Sequence, residues 1–229
     1  MSNAEPAPGN GETRLDGTAE MHRWGGGPYN RPLNVVIVTQ EDPFYIGTFF
    51  REFLADEKAH RDTVTLHGVM VQPSLGTASR RALAQRIWSL YGTRGFVRML
   101  FRYAASKVWG VGIGELCRRV GVATVDLAAE RSVGRAGAQR PARENNVNGP
   151  TFHRWLRERE IDLIVSVSAS QIFGKTVLGI PRIGAVNLHN APLPHYRGML
   201  PNFRQMYHGE PESVLTIHEM VPELDAGDI

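Results

Sequence analysis

The chain has 229 residues, a hydrophobic fraction of 42% and a single cysteine, Cys117. This length accommodates one sizeable α/β domain with additional elements, and the composition is that of a folded protein. A lone cysteine cannot form an intramolecular disulfide or a cysteine-rich metal site. A disulfide-stabilised fold is therefore excluded, and a reducing, cytoplasmic setting is favoured.

Positive charge is concentrated in one segment of the chain. The net charge is +3, but residues 74–119 hold nine Arg and Lys against one acid, Glu115, which leaves +8 there and −5 elsewhere. No stretch reaches the roughly 18 apolar residues of a membrane span, and the N-terminus lacks the apolar run of a signal peptide. We therefore expect no integral membrane association. Residues 1–32, rich in Gly, Pro, Asn and charge, are expected to be a disordered leader.

The first predicted elements are a buried strand and a helix. Leu33–Thr39 is a short apolar, β-branched run, typical of a strand buried on both faces of a parallel sheet. Asp42 and Pro43 follow as a helix start, and Phe44–Glu57 has the spacing of an amphipathic helix. Strand, loop and helix in this order form half of a βαβ unit.

Strands continue to alternate with helices along the chain. The predicted strands are Val64–Val71, a weaker one at Thr124–Leu127, Ile161–Val167 and Gly184–Leu188, and a helix is predicted at about Gly149–Glu160. This alternation indicates an α/β fold with a doubly wound, mostly parallel sheet. Residues 129–147 are predicted to form a flexible surface loop.

About 45 residues of helical pattern separate the second strand from the third. They predict a helical insertion over about residues 76–121, with helices at Ala78–Tyr91, Gly95–Trp109 and Gly114–Val120. Arg94, Arg98 and Arg102 recur at every fourth position and share one helix face. That face is either simply solvated or contacts an anionic partner: a phosphorylated acceptor, an acidic carrier protein or a membrane surface.

Polar side chains suited to acid–base chemistry lie at the end of the strand Gly184–Leu188. Asn187 and His189 are two residues apart, so they point the same way at the carboxyl end of the sheet, where open α/β folds bind ligands. An amide donates a hydrogen bond without titrating, and an imidazole donates one or holds a proton. A carboxylate such as Asp225 can orient the histidine and accept protons. These residues alone leave several chemistries open.

The order of short motifs around these residues is more specific. Asn187-x-His189 is followed by Leu193-Pro194, Tyr196-Arg197-Gly198, Pro201, Thr216-Ile217-His218 and Asp225-Ala226-Gly227. This order resembles the folate-dependent formyltransferases, which include glycinamide ribonucleotide transformylase, the catalytic domain of methionyl-tRNA formyltransferase and sugar N-formyltransferases. The resemblance is strong from Ser166 to Ile229 and compatible in strand order from Leu33 to Asp162.

The resemblance implies a Rossmann-like catalytic domain over residues 33–229 that moves a formyl group from 10-formyltetrahydrofolate to a small-molecule amine, without a metal. It implies that Asn187, His189 and Asp225 are catalytic. It places the folate against Ser168, Ala169, Ser170, Gln171, Ile172, Ala191, Pro192, Leu193 and Pro194, and the acceptor against Tyr196, Arg197, Gly198, Pro201 and His218. Because the family domain continues past the Asp225 motif, its C-terminal part is expected to be missing from this chain.

The acceptor amine stays open at this point. Glycinamide ribonucleotide transformylases have a Gly- and Ser-rich loop after the first strand that cradles a phosphate, whereas here that loop, Thr39–Pro43, is acidic and lacks glycine. An amino sugar nucleotide is the preferred acceptor. The alternatives are methionyl-tRNA formylation, hydrolysis of 10-formyltetrahydrofolate and a non-catalytic folate-binding remnant. His189, His195 and His218 match no compact zinc spacing, which disfavours a metal site.

Overall fold

Five β-strands form one sheet in the order β2-β1-β3-β4-β5 in the computed structural model, which describes residues 31–41, 46–56, 62–73, 80–109, 111–127, 145–198 and 200–229. The strands are β1 (Leu33–Gln40), β2 (Val64–Gln72), β3 (Leu163–Val167), β4 (Gly184–His189) and β5 (Thr216–Glu219). β1 to β4 are parallel, and β5 pairs with β4 in the antiparallel direction. The predicted α/β fold with a mostly parallel sheet is confirmed.

Six helices accompany the sheet in the described part of the chain. They are α1 (Ile46–Asp56), α2 (Arg80–Trp109), α3 (Ile113–Val120), α4 (Pro150–Glu158), α5 (Lys175–Leu178) and α6 (Pro201–His208). α4 begins with a proline in its first turn, where the missing N–H costs no helical hydrogen bond. α3 ends at Gly121, whose φ of 79° suits a glycine, and its N–H closes the last turn on the Arg118 and Cys117 carbonyls.

Apolar side chains fill both faces of the sheet. Val36 and Val38 point to one face, where they pack with side chains of α4 such as Phe152. Ile37 points to the other face and packs with α1 and α3. The alternation along β1 therefore explains its uninterrupted apolar run, Val35–Val38: a central parallel strand is covered by helices on both sides. Cys117 of α3 is fully buried in this second layer, and burial raises the pKa of its thiol to about 11.

Most predicted elements are confirmed, with small shifts of their ends, and two differ. Thr124–Leu127 is not a strand of the sheet, since Thr124 forms only an isolated bridge to Val69. The end of the predicted flexible loop, residues 145–147, is packed, and Val147 is fully buried. Residues 1–30 of the predicted leader, the Asp42-Pro43 helix start and residues 129–144 lie outside the described residues.

α2 is a long helix with a bend. The sequence pattern predicts two helices here, Ala78–Tyr91 and Gly95–Trp109, and the break between them is confirmed: the 30 residues of α2 are interrupted at Gly92, whose φ of 64° and ψ of −178° are not helical. A side chain at this φ would be strained, so glycine suits the bend. None of the α2 side chains that the structure describes is buried. In the described part of the chain no helix has the length and apolar character needed to cross a membrane.

A buried carboxylate joins the starts of β1 and β3. Asp162 is 1% exposed and accepts hydrogen bonds from Arg182 Nε at 2.7 Å, Arg31 Nη1 at 2.8 Å and the Asn34 backbone N–H at 2.8 Å. Burial alone raises the pKa of this carboxyl, but the hydrogen bonds from Arg182, Asn34 and Arg31 outweigh it, so the pKa lies below its usual value of 3.8. The charged form is therefore the one that the fold stabilises.

The last described segment is held against β5. The Glu219 N–H donates to the Asp228 carbonyl at 2.8 Å, and the Met220 N–H donates to Ala185 on β4 at 2.7 Å. Gly227 lies so close to this strand that a Cβ there would overlap the Glu219 carbonyl oxygen. The Asp225-Ala226-Gly227 motif therefore needs glycine at its third position, because the backbone of β5 lies too close for a side chain. The loop is anchored to β5 by these contacts.

Asp162→Asn is expected to lower the free energy of unfolding by roughly 2–4 kcal/mol, because it removes a buried charge that two arginines and a backbone N–H stabilise. The pKa of this carboxyl is lower in the folded than in the unfolded chain. Its contribution is therefore complete above about pH 5 and is lost as the pH falls through the unfolded and then the folded pKa. Denaturant unfolding from pH 7 to 3 should show the two proteins converging at low pH. The exposed Asp62→Asn change is the control, and a constant difference across this range would contradict the account.

Gly227→Ala is expected to cost roughly 1–3 kcal/mol of stability, since the new methyl group can be accommodated only by moving the segment off β5. Gly47→Ala in α1 is the matched control, because the nearest atom to its new Cβ is 3.9 Å away. Thermal unfolding of both variants measures the difference. Equal melting temperatures would show that the segment is not packed on β5 as described.

Candidate functional site

A cleft of about 640 Å³ opens at the carboxyl ends of β3 and β4. Asn187, His189 and Asp225 all line it, together with the predicted loop 168–172. Part of the remaining wall is apolar, formed by Phe173, Leu188, Leu200, Phe203, Val221 and Leu224. A cleft of this size with an apolar wall and a few convergent polar groups is the usual form of a small-molecule site.

Asp225 lies between two histidines. Its Oδ2 is 3.6 Å from His189 Nδ1, and its Oδ1 is 3.6 Å from His218 Nε2. All three side chains are nearly buried, with 8%, 7% and 3% of their surfaces exposed, respectively. The carboxylate therefore faces one ring nitrogen of each histidine in a setting nearly closed to solvent.

The hydrogen bonds of the two rings define their neutral tautomers. His189 Nε2–H donates to the Tyr196 carbonyl at 3.1 Å, which leaves Nδ1 without a hydrogen and facing Asp225. His218 Nδ1–H donates to the Glu219 carbonyl at 2.8 Å, so its Nε2 accepts a hydrogen bond from Asn187 Nδ2–H at 3.2 Å. Since an amide nitrogen carries two hydrogens, Asn187 keeps one for a bound molecule.

The turn after β4 reaches back to the carboxylate. The Gly198 N–H donates to Asp225 Oδ2 at 2.8 Å, and the φ of 86° at this position suits glycine. Tyr196, two residues earlier, donates its hydroxyl hydrogen to Glu210 past the end of α6, and this bond raises the pKa of the phenol. The turn is thus held at both ends, and it completes the polar side of the cleft.

Three residues outside loop 168–172 hold it in place through hydrogen bonds. Gln72, at the end of β2, is 1% exposed and accepts hydrogen bonds from Ser170 N–H at 2.9 Å and Ser170 Oγ–H at 3.1 Å. The backbone carbonyl of Asn145 accepts from Gln171 Nε2–H at 3.2 Å, and Asn148 Nδ2–H donates to the Ile172 backbone carbonyl at 2.8 Å. Sequence reasoning missed Gln72, Asn145 and Asn148. A lone polar residue ending an apolar strand was the available signal for Gln72.

Unusual backbone conformations cluster around the cleft. Of the non-glycine residues with positive φ in the described chain, Ser168 at 53°, Leu200 at 57° and Asp225 at 50° line it, and Tyr196 at 59° lies in the adjoining turn. Such conformations cost of order 1–3 kcal/mol each and persist only where surrounding contacts hold them. The Gly198 N–H hydrogen bond to Asp225 is one such contact, and strain of this kind is typical of ligand sites.

The predicted site residues divide into two groups. Loop 168–172, Asn187, His189, Gly198, Pro201, His218 and Asp225 line the cleft. The segment Ala191–Pro194 and the side chains Tyr196 and Arg197 do not. Ala191 is fully buried, and its carbonyl accepts a hydrogen bond from Thr216 at 2.6 Å. Among the described residues, no group of three or more His, Cys, Asp or Glu side chains is arranged to hold a metal ion.

Comparison with known sequences connects this geometry to a family. A family model described as formyl transferase matches residues 110–229, which is 120 of the 229 residues. Methionyl-tRNA formyltransferase of Thermotoga maritima is 40% identical over 84 residues, 37% of this chain and 27% of that protein. The Staphylococcus aureus protein of the same name is 40% identical over 74 residues, 32% of this chain and 24% of that protein. The aligned part of this chain therefore spans about a quarter of the length of these relatives.

Solved structures agree on the fold. Glycinamide ribonucleotide transformylase 1 from Symbiobacterium toebii superposes with a TM-score of 0.53 at 16% identity, over 87% of this chain and 71% of that one. Phosphoribosylglycinamide formyltransferase from Bacillus halodurans gives a TM-score of 0.50 at 14% identity, over 85% and 75%. At such identities the likeness shows the fold alone. The matched family model covers half of the chain, and the chain belongs to the formyl transferase family.

Proposed function

We propose that this protein is an N-formyltransferase that moves a formyl group from 10-formyltetrahydrofolate to the amine of a small molecule. The observation that carries the proposal is the placement of Asp225 between His189 and His218, with Asn187 hydrogen-bonded to the second histidine, at one end of the cleft. Formyl transfer to an amine requires both an oxyanion donor and a proton acceptor, and this group of four contains both.

Asn187 and His189 would stabilise the negative charge that develops on the formyl oxygen. As the amine nitrogen bonds to the formyl carbon, the carbonyl oxygen becomes negative and needs a hydrogen-bond donor. Asn187 provides an uncharged N–H that does not depend on pH, and His189 provides positive charge once it has taken the proton of the attacking amine, with the Asp225 carboxylate beside it. An N–H donor in a partly buried site is worth several kcal/mol to a developing oxyanion.

Asp225 and the histidines would assist the proton transfers of the reaction. The attacking nitrogen must lose a proton, and N10 of the folate must gain one when its bond to the formyl carbon breaks. His189 Nδ1 faces the Asp225 carboxylate at 3.6 Å and can take up the proton and return it, while His218 Nε2 accepts the Asn187 hydrogen bond and orients that amide. The step is balanced without any other reactant.

The folate would lie along loop 168–172 and the loop of Asp225. Apolar side chains from Phe173, Leu188 and Leu224 offer surface to a flat ring, and the backbone of a rigidly held loop can read the polar edge of a pterin. The Gln72, Asn145 and Asn148 hydrogen bonds provide that rigidity. The segment Ala191–Pro194 supports the site from outside the cleft.

An amino sugar nucleotide is our proposed acceptor, in preference to glycinamide ribonucleotide. Gln40, at the end of β1, lines the cleft, and the Glu41 carboxylate lies next to Gly112 at the N-terminus of α3. A helix N-terminus next to the first strand would favour a phosphate, but a carboxylate already lies against it. A terminal phosphate of the acceptor is therefore disfavoured at this position, and other parts of the acceptor must provide its affinity.

The full chain, incubated with 10-formyltetrahydrofolate with and without a panel of amines, is expected to consume the folate only when an amine is present. The panel contains amino sugar nucleotides, glycinamide ribonucleotide and methionyl-tRNA, and mass spectrometry of the product identifies the acceptor. Turnover without an amine would indicate a hydrolase instead. Binding of a folate analogue without any turnover would indicate a non-catalytic binding protein.

His189→Ala, Asp225→Asn and Asn187→Ala are each expected to lower kcat by about 10² or more, the scale of a lost acid–base group or oxyanion donor. His195→Ala and Asp228→Asn are the matched controls, since both side chains are exposed and lie outside the cleft lining. Steady-state kinetics and thermal unfolding are measured on all five variants. Near-normal kcat in any of the first three would remove that residue from the catalytic group.

A further inference from the structure

α2 displays to solvent the kind of apolar stripe that other helices bury. Val97, Leu100, Phe101 and Ala104 follow the i, i+3, i+4, i+7 spacing of a core-facing helix. All four are exposed, and the first three keep 44%, 55% and 73% of their surfaces accessible. Tyr103, 46% exposed, widens this area to roughly 160° of the helix circumference at 3.6 residues per turn.

Positive charge borders this stripe. α2 contains seven Arg and Lys and no Asp or Glu over its 30 residues. Arg94 and Arg98 are exposed and lie on the helix face next to Phe101. Beyond the bend at Gly92, Trp88 is 52% exposed, and its ring contacts Phe96 at a centroid distance of 5.4 Å, so the two segments of the helix meet there.

We propose that this face of α2 binds an anionic membrane surface. The helix would lie in the plane of the interface, with Val97, Leu100 and Phe101 among the acyl chains and Arg94 and Arg98 on the lipid phosphates. Arginine side chains extend their charge toward headgroups while their stems cover apolar surface. Tryptophan and tyrosine favour the same depth, which accounts for exposed Trp88 and Tyr103.

Charge and shape favour this partner over others. A second copy of the chain is disfavoured because two acid-free, basic helices repel each other. Nucleic acid would satisfy the arginines but would leave the aliphatic Val97 and Leu100 without apolar contact. A peptide-binding groove takes a narrow apolar stripe, whereas the area exposed here spans nearly half the helix. A deformable anionic layer matches both the charge and the breadth.

The test is co-sedimentation of the full chain with vesicles. We expect binding to phosphatidylcholine vesicles that contain about 30 mol% phosphatidylglycerol, and much weaker binding to phosphatidylcholine alone. Raising the salt from about 0.05 to 0.5 M should weaken the binding to anionic vesicles, because the headgroup charge is then screened. This comparison requires no variant, so it holds even if a substitution disturbs folding.

Two pairs of variants locate the contact. Arg94→Gln with Arg98→Gln should lower the partition coefficient roughly tenfold or more, whereas Arg51→Gln with Arg157→Gln, which removes equal charge from α1 and α4, should not. Leu100→Ser should also weaken binding, while Leu215→Ser, with a similar exposure of 52% against 55%, should not. Equal effects of test and control variants would overturn the proposal. So would absent vesicle binding at low salt, or binding to transfer RNA without binding to vesicles.

Discussion

The buried carboxylate of Asp225 is the constraint around which the candidate site is organised. A carboxylate with 8% exposure needs compensation from within the protein. The Gly198 N–H provides one hydrogen bond, and one ring nitrogen of each histidine lies 3.6 Å from the carboxylate. These partners come from the turn after β4, from β4 itself and from β5. The antiparallel pairing of β5 with β4 is what brings His218 beside Asn187 and so opposite the same carboxylate.

The fold was predictable because its signals are local. β1 has an uninterrupted apolar run over Val35–Val38, and in a chain of alternating strands and helices such a run is typical of a strand covered by helices on both faces. The prediction of a strand at Thr124–Leu127 was wrong; it depended on two β-branched residues, Thr124 and Val125. In the structure this segment makes a single bridge to Val69 and does not continue as a strand. The break at Gly92 was predicted, because residues 92–94 separate the two expected helices and include a glycine.

The order of the sequence motifs predicted the polar residues of the candidate site. It did not predict the residues, distant in sequence, that hold the loop 168–172 in place. Asn187, His189 and Asp225 meet in the cleft as the family resemblance implied, because strand spacing and the Asp225 loop together determine their placement. Gln72 and Asn145 act on loop 168–172 from 98 and 26 positions away along the chain. Gln72 was marked only by its position at the end of an apolar strand, and nothing near Asn145 in the sequence indicates its contact with this loop, which exists only in the folded chain.

The state of Cys117 makes the chain well suited to site-directed labelling. It is the only cysteine in the sequence, it is fully buried in the layer between the sheet and α3, and the pKa of its thiol is raised to about 11. Thiol reagents attack the thiolate, which is scarce at neutral pH when the pKa is this high. The unaltered chain should therefore react very slowly with maleimides and thiol-reactive spin labels. A cysteine introduced on an exposed position of α2 or α6 would react alone, with no need to replace the native residue.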